Sequence, residues 1–307
     1  TGAKSRVAFQ NELNRVLNAH TDFIQKHTLT QDEIASVIIA DCFKAEAEAV
    51  VLMLIDGLSY TDVADWDELP SPIPCFVPGL TTTPEGFQNI IGRENPLSIQ
   101  LFDLGYRARF GFTYWTRETN RLTDILFRTI APNRIATVLS MAEVFKGLKA
   151  IELDQAYVQI VRTGLDPYAH ASRLDDLSHK RNATRKSMRD DLYQIRSILA
   201  NTGKRILFYV VSDHGILWRD EENLEVIDQV PGRVNPRYYD LKTEASPSRQ
   251  SVGRFIERSE GTTCFQLAYP YLRRPLHSNE WGVHGGLSFQ ESIVPFIRIE
   301  VNCHKVA

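Results

Sequence analysis

The sequence predicts an α/β fold: an α/β/α sandwich with a mostly parallel central sheet, preceded by an N-terminal helical extension. Three observations carry that expectation. Short apolar runs alternate with amphipathic helical segments from residue 50 onward. Two of these runs, Val50–Ile55 and Ile206–Val211, are apolar on both faces, as strands buried in the middle of a sheet must be. Aspartates then follow three of the runs, at the strand ends where open α/β sheets bind their ligands.

Residues 1–49 read as helices. Thr30-Gln31-Asp32-Glu33 is a capping box, in which Thr30 and Glu33 satisfy each other's exposed N–H groups at a helix start. Ile34, Val37, Ile38 and Cys42 then recur at helical spacing. The length allows one large domain or two small ones, and the strand-and-helix texture runs from residue 50 onward. Strands are expected at Val50–Ile55, Tyr157–Val161, Ile206–Val211 and Ile293–Val301. Leu177–Leu199 is expected as a long helix, with Met188, Leu192, Ile195 and Leu199 on one stripe. The stretch Leu217–Gly261 is polar and rich in Pro, Gly and charge, which reads as a lid or insertion.

Composition narrows the function classes. With 35 basic and 38 acidic residues the net charge is −3, which argues against holding nucleic acid by bulk positive charge and leaves only a local basic groove. No apolar run approaches the roughly 20 residues of a membrane span, so no membrane partner is expected. The four cysteines, Cys42, Cys75, Cys264 and Cys303, form no CxxC pair. That spacing suits a reducing cytoplasm and indicates neither a disulfide framework nor a thiolate zinc site. The chain begins Thr-Gly, as an excised domain or a tag remnant would, and no basic-then-apolar leader marks a secretory signal in it. Any metal must be held by histidines and carboxylates.

Those residue types gather where the pattern predicts a ligand edge. Asp56-Gly57 follows the first strand directly, and Ser212-Asp213-His214-Gly215 closes the third. Asp166 and His170 follow the second strand at a spacing that puts both on one face of a helical turn; Asp175 and His179 repeat the spacing. Three carboxylates and two imidazoles on one edge repel unless a cation lies among them. Pro78-Gly79-Leu80-Thr81-Thr82-Thr83-Pro84 adds hydroxyls in a proline-stiffened loop, where a threonine could serve as nucleophile. Val283-His284-Gly285-Gly286-Leu287-Ser288 precedes the last strand, and its paired glycines let backbone and imidazole approach a ligand closely. His20, His27, His277 and His304 lack such settings and read as surface residues. Arg107 and Arg109 read either as phosphate contacts or as surface charges. Arg181, Arg185 and Arg189, with Lys180 and Lys186, read either as a guide for a phosphate chain or as a solvated helix face.

In this order the segments resemble the alkaline phosphatase superfamily and, within it, the PglZ domain. The matching residues are Asp56-Gly57, Thr83-Pro84, Asp166 with His170, Ser212 through Gly215, and His284-Gly285-Gly286 followed by Ser288, Glu291 and Pro295. The resemblance implies an alkaline phosphatase-like sheet and a two-metal phosphoryl-transfer site, with zinc or manganese as the ions. It implies that Asp56, Asp213 and His214 hold one ion with the Thr83 hydroxyl, and that Asp166, His170 and His284 hold the other. Thr83 becomes the nucleophile, with Thr81 and Thr82 as alternatives in the same loop. The implied activity is a metal-dependent phosphodiesterase acting on oligonucleotides or cyclic nucleotides, in the setting of anti-phage defence or signalling. A phosphomonoesterase and a partner-binding module of a defence complex are the two other readings.

Overall fold

A computed structural model describes residues 2–67, 69–114, 126–127, 130–170, 176–219, 224–232, 234–245, 247, 249–258 and 261–303. Asp175, His304 and the side chain of Arg109 lie outside the described residues. The chain forms fifteen described strands. The first seven are β1 (Leu29–Thr30), β2 (Ala49–Ile55), β3 (Ile73–Phe76), β4 (Arg107–Tyr114), β5 (Ile135–Thr137), β6 (Ala156–Arg162) and β7 (Ile206–Ser212). Seven shorter or peripheral strands follow: β8 (Leu217–Trp218), β9 (Glu225–Val226), β10 (Tyr238–Asp240), β11 (Gly253–Glu257), β12 (Thr263–Leu267), β13 (Tyr271–Leu272) and β14 (Gly282–Val283). The last is β15 (Ile293–Val301).

Eight of these build the central sheet in the order β1-β3-β15-β7-β2-β6-β4-β5. All pairings are parallel except those of β15, which runs antiparallel to both β3 and β7. The expected fold class is therefore the observed one, and the four expected strands are β2, β6, β7 and β15 within a residue at each end.

Alternation along β2 explains the layers. Val51, Met53 and Ile55 face one side and pack with Met188, Leu192, Ile195 and Leu199 of the helix Leu177–Ala200. Val50, Leu52 and Leu54 face the other and pack with Ile34, Ile38 and Cys42 of α2 (Ile34–Ala45) and with Phe87 and Ile90. Every residue of β2, β6 and β7 is buried. Apolar faces on both sides of a strand demand helices on both sides of the sheet, and the chain supplies them.

The N-terminal 49 residues contribute more than helices. After α1 (Gly2–His27), β1 pairs with β3 at the sheet edge. The capping box forms, with the Glu33 carboxylate accepting from Thr30 N at 2.8 Å and from Thr30 Oγ1 at 2.9 Å. Between them the buried Gln31 donates to the carbonyls of Ser212 and Asp213 at 2.8 and 2.7 Å. The segment expected as a lid or insertion holds β8, β9, β10 and β11; β10 and β11 flank β12 in a small antiparallel sheet.

The arginine stripe of the long helix faces local partners. Arg181 is buried with its guanidinium 4.0 Å from the centre of the Trp218 ring. Arg185 donates to Asp65 at 2.8 Å and to the Asp62 carbonyl at 2.7 Å, and Arg189 lies 3.4 Å from Asp190. These contacts favour the structural reading of the stripe over the phosphate guide.

Register sets the edge on which the site is built. Ile55 pairs with Arg162 on one side and with Ser212 on the other, so β2, β6 and β7 end level. α3 (Thr83–Ile91) is seated against that edge, since a Cβ on Gly86 would come 2.1 Å from the Asp213 carbonyl oxygen. Gly86→Ala must push the helix off the strand end. We expect a loss of about 2 kcal/mol in urea unfolding, with unchanged far-ultraviolet dichroism.

Candidate metal centre

The carboxyl edge carries Asp56 after β2, Asp166 beyond β6, and Asp213 and His214 at the end of β7. Because β15 is antiparallel, the segment that leads into it arrives at the same edge and delivers His284. Thr83 arrives as the first residue of α3, with Pro84 setting the helical turn behind it. All seven residues singled out from the sequence thus meet in one place.

Two groups of potential ligand atoms form. Asp56, Asp213 and His214 present atoms within 4.8 Å of one another, and so do Asp166, His214 and His284. His214 belongs to both groups. His170 adjoins the second, with Nε2 3.5 Å from Asp166 Oδ1 and 3.4 Å from His284 Nε2. His214 and His284 lie ring on ring, centroids 4.1 Å apart and planes 17° from parallel. The expected division into two ligand sets is close to this geometry, but the spacing leaves His214 between the sets.

Each of the two stacked imidazoles is oriented through its other nitrogen. His214 Nδ1 is 3.0 Å from the Gly215 carbonyl oxygen and His284 Nδ1 is 3.1 Å from that of Thr81. A carbonyl can only accept, so each Nδ1 carries a proton and each Nε2 is turned to the centre. That is the arrangement metal-ligating histidines show. Asp213 Oδ1 accepts from the backbone N–H groups of Gly57 at 2.9 Å and His214 at 2.8 Å, which leaves Oδ2 to face inward. Among the described residues no well-directed donor reaches the buried Asp213 Oδ2 or Asp166 Oδ1, although His214 Nε2 lies 3.5 Å from the first and His284 and His170 Nε2 lie 3.3 and 3.5 Å from the second. Buried carboxylate oxygens carry a large desolvation cost unless a positive partner stands beside them. The donor set of carboxylates and bare imidazole nitrogens fits a dication of zinc or manganese type without thiolates.

Titration behaviour shows the same tension. Burial raises the Asp213 carboxyl above the ordinary carboxylate range, and the charge of Asp166 pushes it further. Burial also drives His214 down to about 3, with His284 adding to the effect. Asp166 goes the other way: burial would raise it, but contacts with His170 and His284 hold it well below its usual value. The opposite happens at His284, where burial would lower the imidazole and Asp166 raises it.

The three threonines of the loop Thr81–Thr83 separate cleanly. Thr81 is fully buried; its hydroxyl donates to the Gly286 carbonyl at 2.8 Å and accepts from Gly285 N at 2.9 Å. Its oxygen is committed to tying the two loops together. Thr82 precedes α3 and makes no capping bond with its side chain. Thr83 Oγ1 lies 3.1 Å from His214 Nε2, at the edge of the centre and at the positive end of α3.

Several residues that hold the centre carry no sequence signal of their own. Arg237, from the polar segment, and Glu291 form an ion pair with both side chains wholly buried. Arg237 donates to the two carboxylate oxygens at 3.1 and 2.8 Å, and also to the carbonyl of Tyr271. Glu291 accepts in addition from Gly286 N at 2.9 Å and Ser288 Oγ at 2.6 Å. Asn235 Nδ2 donates to the His284 carbonyl at 3.2 Å, and Gln266 Nε2 donates to the carbonyls of Gly79 and Gly285 at 3.0 and 3.1 Å. Gly286 must be glycine here, because a Cβ would sit 2.3 Å from the Arg237 guanidinium. Glu291 and Ser288 belong to the sequence pattern; Arg237, Asn235, Gln266 and Gln31 are visible only once the chain is folded.

No family model and no curated protein matches the sequence. Among solved structures, the chain is similar to murine ectonucleotide pyrophosphatase/phosphodiesterase 5 in complex with AMP, at 12% identity over 80% of this chain and 87% of that one, TM-score 0.48. It is similar to the C-terminal periplasmic domain of phosphoethanolamine transferase EptC from Campylobacter jejuni, at 10% identity over 83% of this chain and 79% of that one, TM-score 0.46. It is also similar to alkaline phosphatase from the Antarctic bacterium TAB5, at 9% identity over 82% of this chain and 91% of that one, TM-score 0.41. No helix among the described residues is long and apolar enough to cross a membrane.

The ion pair beneath the His284 loop yields a stability prediction. Glu291→Gln leaves the Arg237 charge buried without its counterion, and chemical unfolding should register a loss of about 3 kcal/mol. A loss under about 1 kcal/mol would mean that the pair does not anchor the loop.

Proposed function

We propose that the protein is a metal-dependent phosphoric ester hydrolase, and more narrowly a phosphodiesterase, with Thr83 as its nucleophile. The observation that carries this reading is the position of the Thr83 hydroxyl. It stands at the start of α3, 3.1 Å from His214 Nε2 and beside two sets of carboxylate and imidazole donors. Asp56, Asp213 and His214 would hold one dication, and Asp166, His170 and His284 the second. When bound, such a pair supplies positive charge to a phosphoryl group and acidifies a neighbouring hydroxyl.

The remaining work belongs to the chain. Asp213, fixed by two backbone N–H groups, keeps its free oxygen aimed into the centre. His214 and His284, each pinned through Nδ1, keep Nε2 turned inward. Thr83 attacks phosphorus through Oγ1 and loses its proton; the ester oxygen opposite leaves, and water then frees the phosphorylated threonine. The positive end of α3 lies beside the phosphoryl oxygens as charge develops.

Preference for a diester is supported by the arginines around the centre. Arg237 is bound to Glu291 and Arg274 to Glu280, so neither offers a free cation to the second negative charge of a monoester. The pattern from Asp56-Gly57 to His284-Gly285-Gly286 supports assignment to the PglZ domain. With it come residues 50–307 as the catalytic unit, 1–49 as an extension, nucleotide or oligonucleotide esters as substrates, and a cytoplasmic defence complex as the setting.

The test is hydrolysis of bis(p-nitrophenyl) phosphate against p-nitrophenyl phosphate with zinc or manganese supplied. The diester should be preferred, and Thr83→Ala and Asp213→Ala should each lower turnover at least about 1,000-fold with unchanged circular dichroism. Retained activity in Thr83→Ala would move the nucleophile to Thr82 or to water. Monoester preference would favour the phosphomonoesterase, and no turnover with metal bound the partner-binding module. Zinc at a hundredfold over its dissociation constant should stabilise the wild type by about 2.7 kcal/mol. Asp213→Asn should bind fewer equivalents by calorimetry.

A further inference from the structure

A cleft of about 590 Å³ opens directly beside His170 and His284. Its volume falls within the roughly 300–1,000 Å³ of small-molecule sites. The centre and the cleft are arranged in sequence across the molecule. Thr83 touches His214, His214 stacks on His284, and His284 stands against His170, whereas the cleft is lined by the last two and not by Thr83. In an in-line displacement the entering and leaving oxygens occupy opposite sides of phosphorus. With Thr83 entering, the cleft lies on the leaving side.

The lining defines the chemistry of what fits. Among the described residues Val234 and Pro236 supply its apolar side chains and no Phe, Tyr or Trp lines it, so an aromatic group finds no phenyl, phenol or indole face to stack on there. Asn235, His277, Ser278 and Asn279 supply hydrogen-bonding groups. Arg274, which also lines the cleft, is 4% exposed and donates to both Glu280 oxygens at 2.7 and 2.6 Å, and to the carbonyls of Val234 and Pro275. Its charge is therefore matched, and a second phosphate would gain little from it. The same pair stiffens the wall. Glu280 accepts from His277 N at 2.7 Å and returns its own N–H to the His277 carbonyl at 3.0 Å, which closes a turn that carries Ser278 and Asn279 at the rim.

Resting on the phosphoester reading, we propose that this cleft is the alcohol subsite of the enzyme. It takes the leaving group of the ester, a polyhydroxylated alcohol of sugar or polyol type, in preference to an apolar or aromatic one; in a nucleotide ester the nucleotide would be the group retained on Thr83. The buried Arg274–Glu280 pair holds the turn in place before the alcohol arrives. Ser278 and Asn279 meet its hydroxyls, while Asn235, already bonded to the His284 carbonyl, forms part of the inner wall.

Reversibility makes the subsite measurable without the natural substrate. With bis(p-nitrophenyl) phosphate as donor, the phosphorylated Thr83 is released either by water or by an added alcohol. In the second case the alcohol oxygen bonds to phosphorus, the P–Oγ1 bond breaks, and the alcohol proton ends on Thr83 Oγ1. Phosphorus NMR gives the ratio of transfer product to hydrolysis product. In the wild-type protein glycerol or glucose should give a ratio at least tenfold that of n-butanol at equal concentration. Ser278→Ala/Asn279→Ala should cut the polyol ratio about fivefold or more and leave the butanol ratio unchanged. Because each is a ratio, a general loss of activity in the variant cancels. Equal use of butanol and polyol by the wild type, or a polyol ratio unaffected by the substitutions, would overturn the subsite. Absence of any turnover of the donor would instead strike the phosphoester reading itself.

Discussion

Three carboxylates that share one buried edge are the constraint on which the rest of the molecule depends. Asp56, Asp166 and Asp213 are brought to one edge by strands that pair in register at the middle of the sheet; Asp56 and Asp213 are buried there and Asp166 is partly so. Left to themselves they repel, and the cost appears in the raised carboxyl of Asp213 and in the pull of two imidazoles on Asp166. The fold meets part of that cost with aligned backbone N–H groups at Asp213 and leaves inward-facing oxygens for a cation. A sheet with this edge is stable enough to persist and incomplete enough to bind.

Holding that geometry requires reach from distant parts of the chain. Gln31 supports the end of β7 from the N-terminal segment, and Gly86 lets α3 lie directly on Asp213. Thr81 stitches the threonine loop to the glycine pair after His284, and the Arg237–Glu291 pair locks that pair from beneath. These are hydrogen bonds and one ion pair in low dielectric, where satisfied networks are rigid and half-satisfied ones are costly. Thr83 is left with a neighbour in the centre rather than a structural duty, which separates it from Thr81 two residues earlier.

The antiparallel β15 is part of the same constraint. Had it run parallel, its leading segment would have emerged at the opposite edge and His284 with it. Reversal of this single strand brings the glycine pair, Ser288 and Glu291 to the carboxyl edge. The polar segment before it then closes over one side, and its Asn235 and Arg237 join the wall between the centre and the adjoining cleft.

Much of this was legible in the residues. Strands apolar on both faces required a sandwich, aspartates after those strands marked the ligand edge, and the box Thr30–Glu33 marked a helix start through local hydrogen bonding alone. These are short-range or periodic features, and a linear sequence records them. Pairings between residues hundreds of positions apart are not recorded. Nothing local distinguishes Arg237 from the charges around it, or tells that Arg181 packs on Trp218 instead of facing solvent. Nor does spacing show that His214 stands between both ligand groups, that Thr81 is spent on backbone, or that the Arg274–Glu280 turn borders a cleft. The sequence by itself determined the kind of sheet and the residue types at its edge. Strand order and register, which are long-range packing outcomes, decided which of those residues meet and what surrounds them.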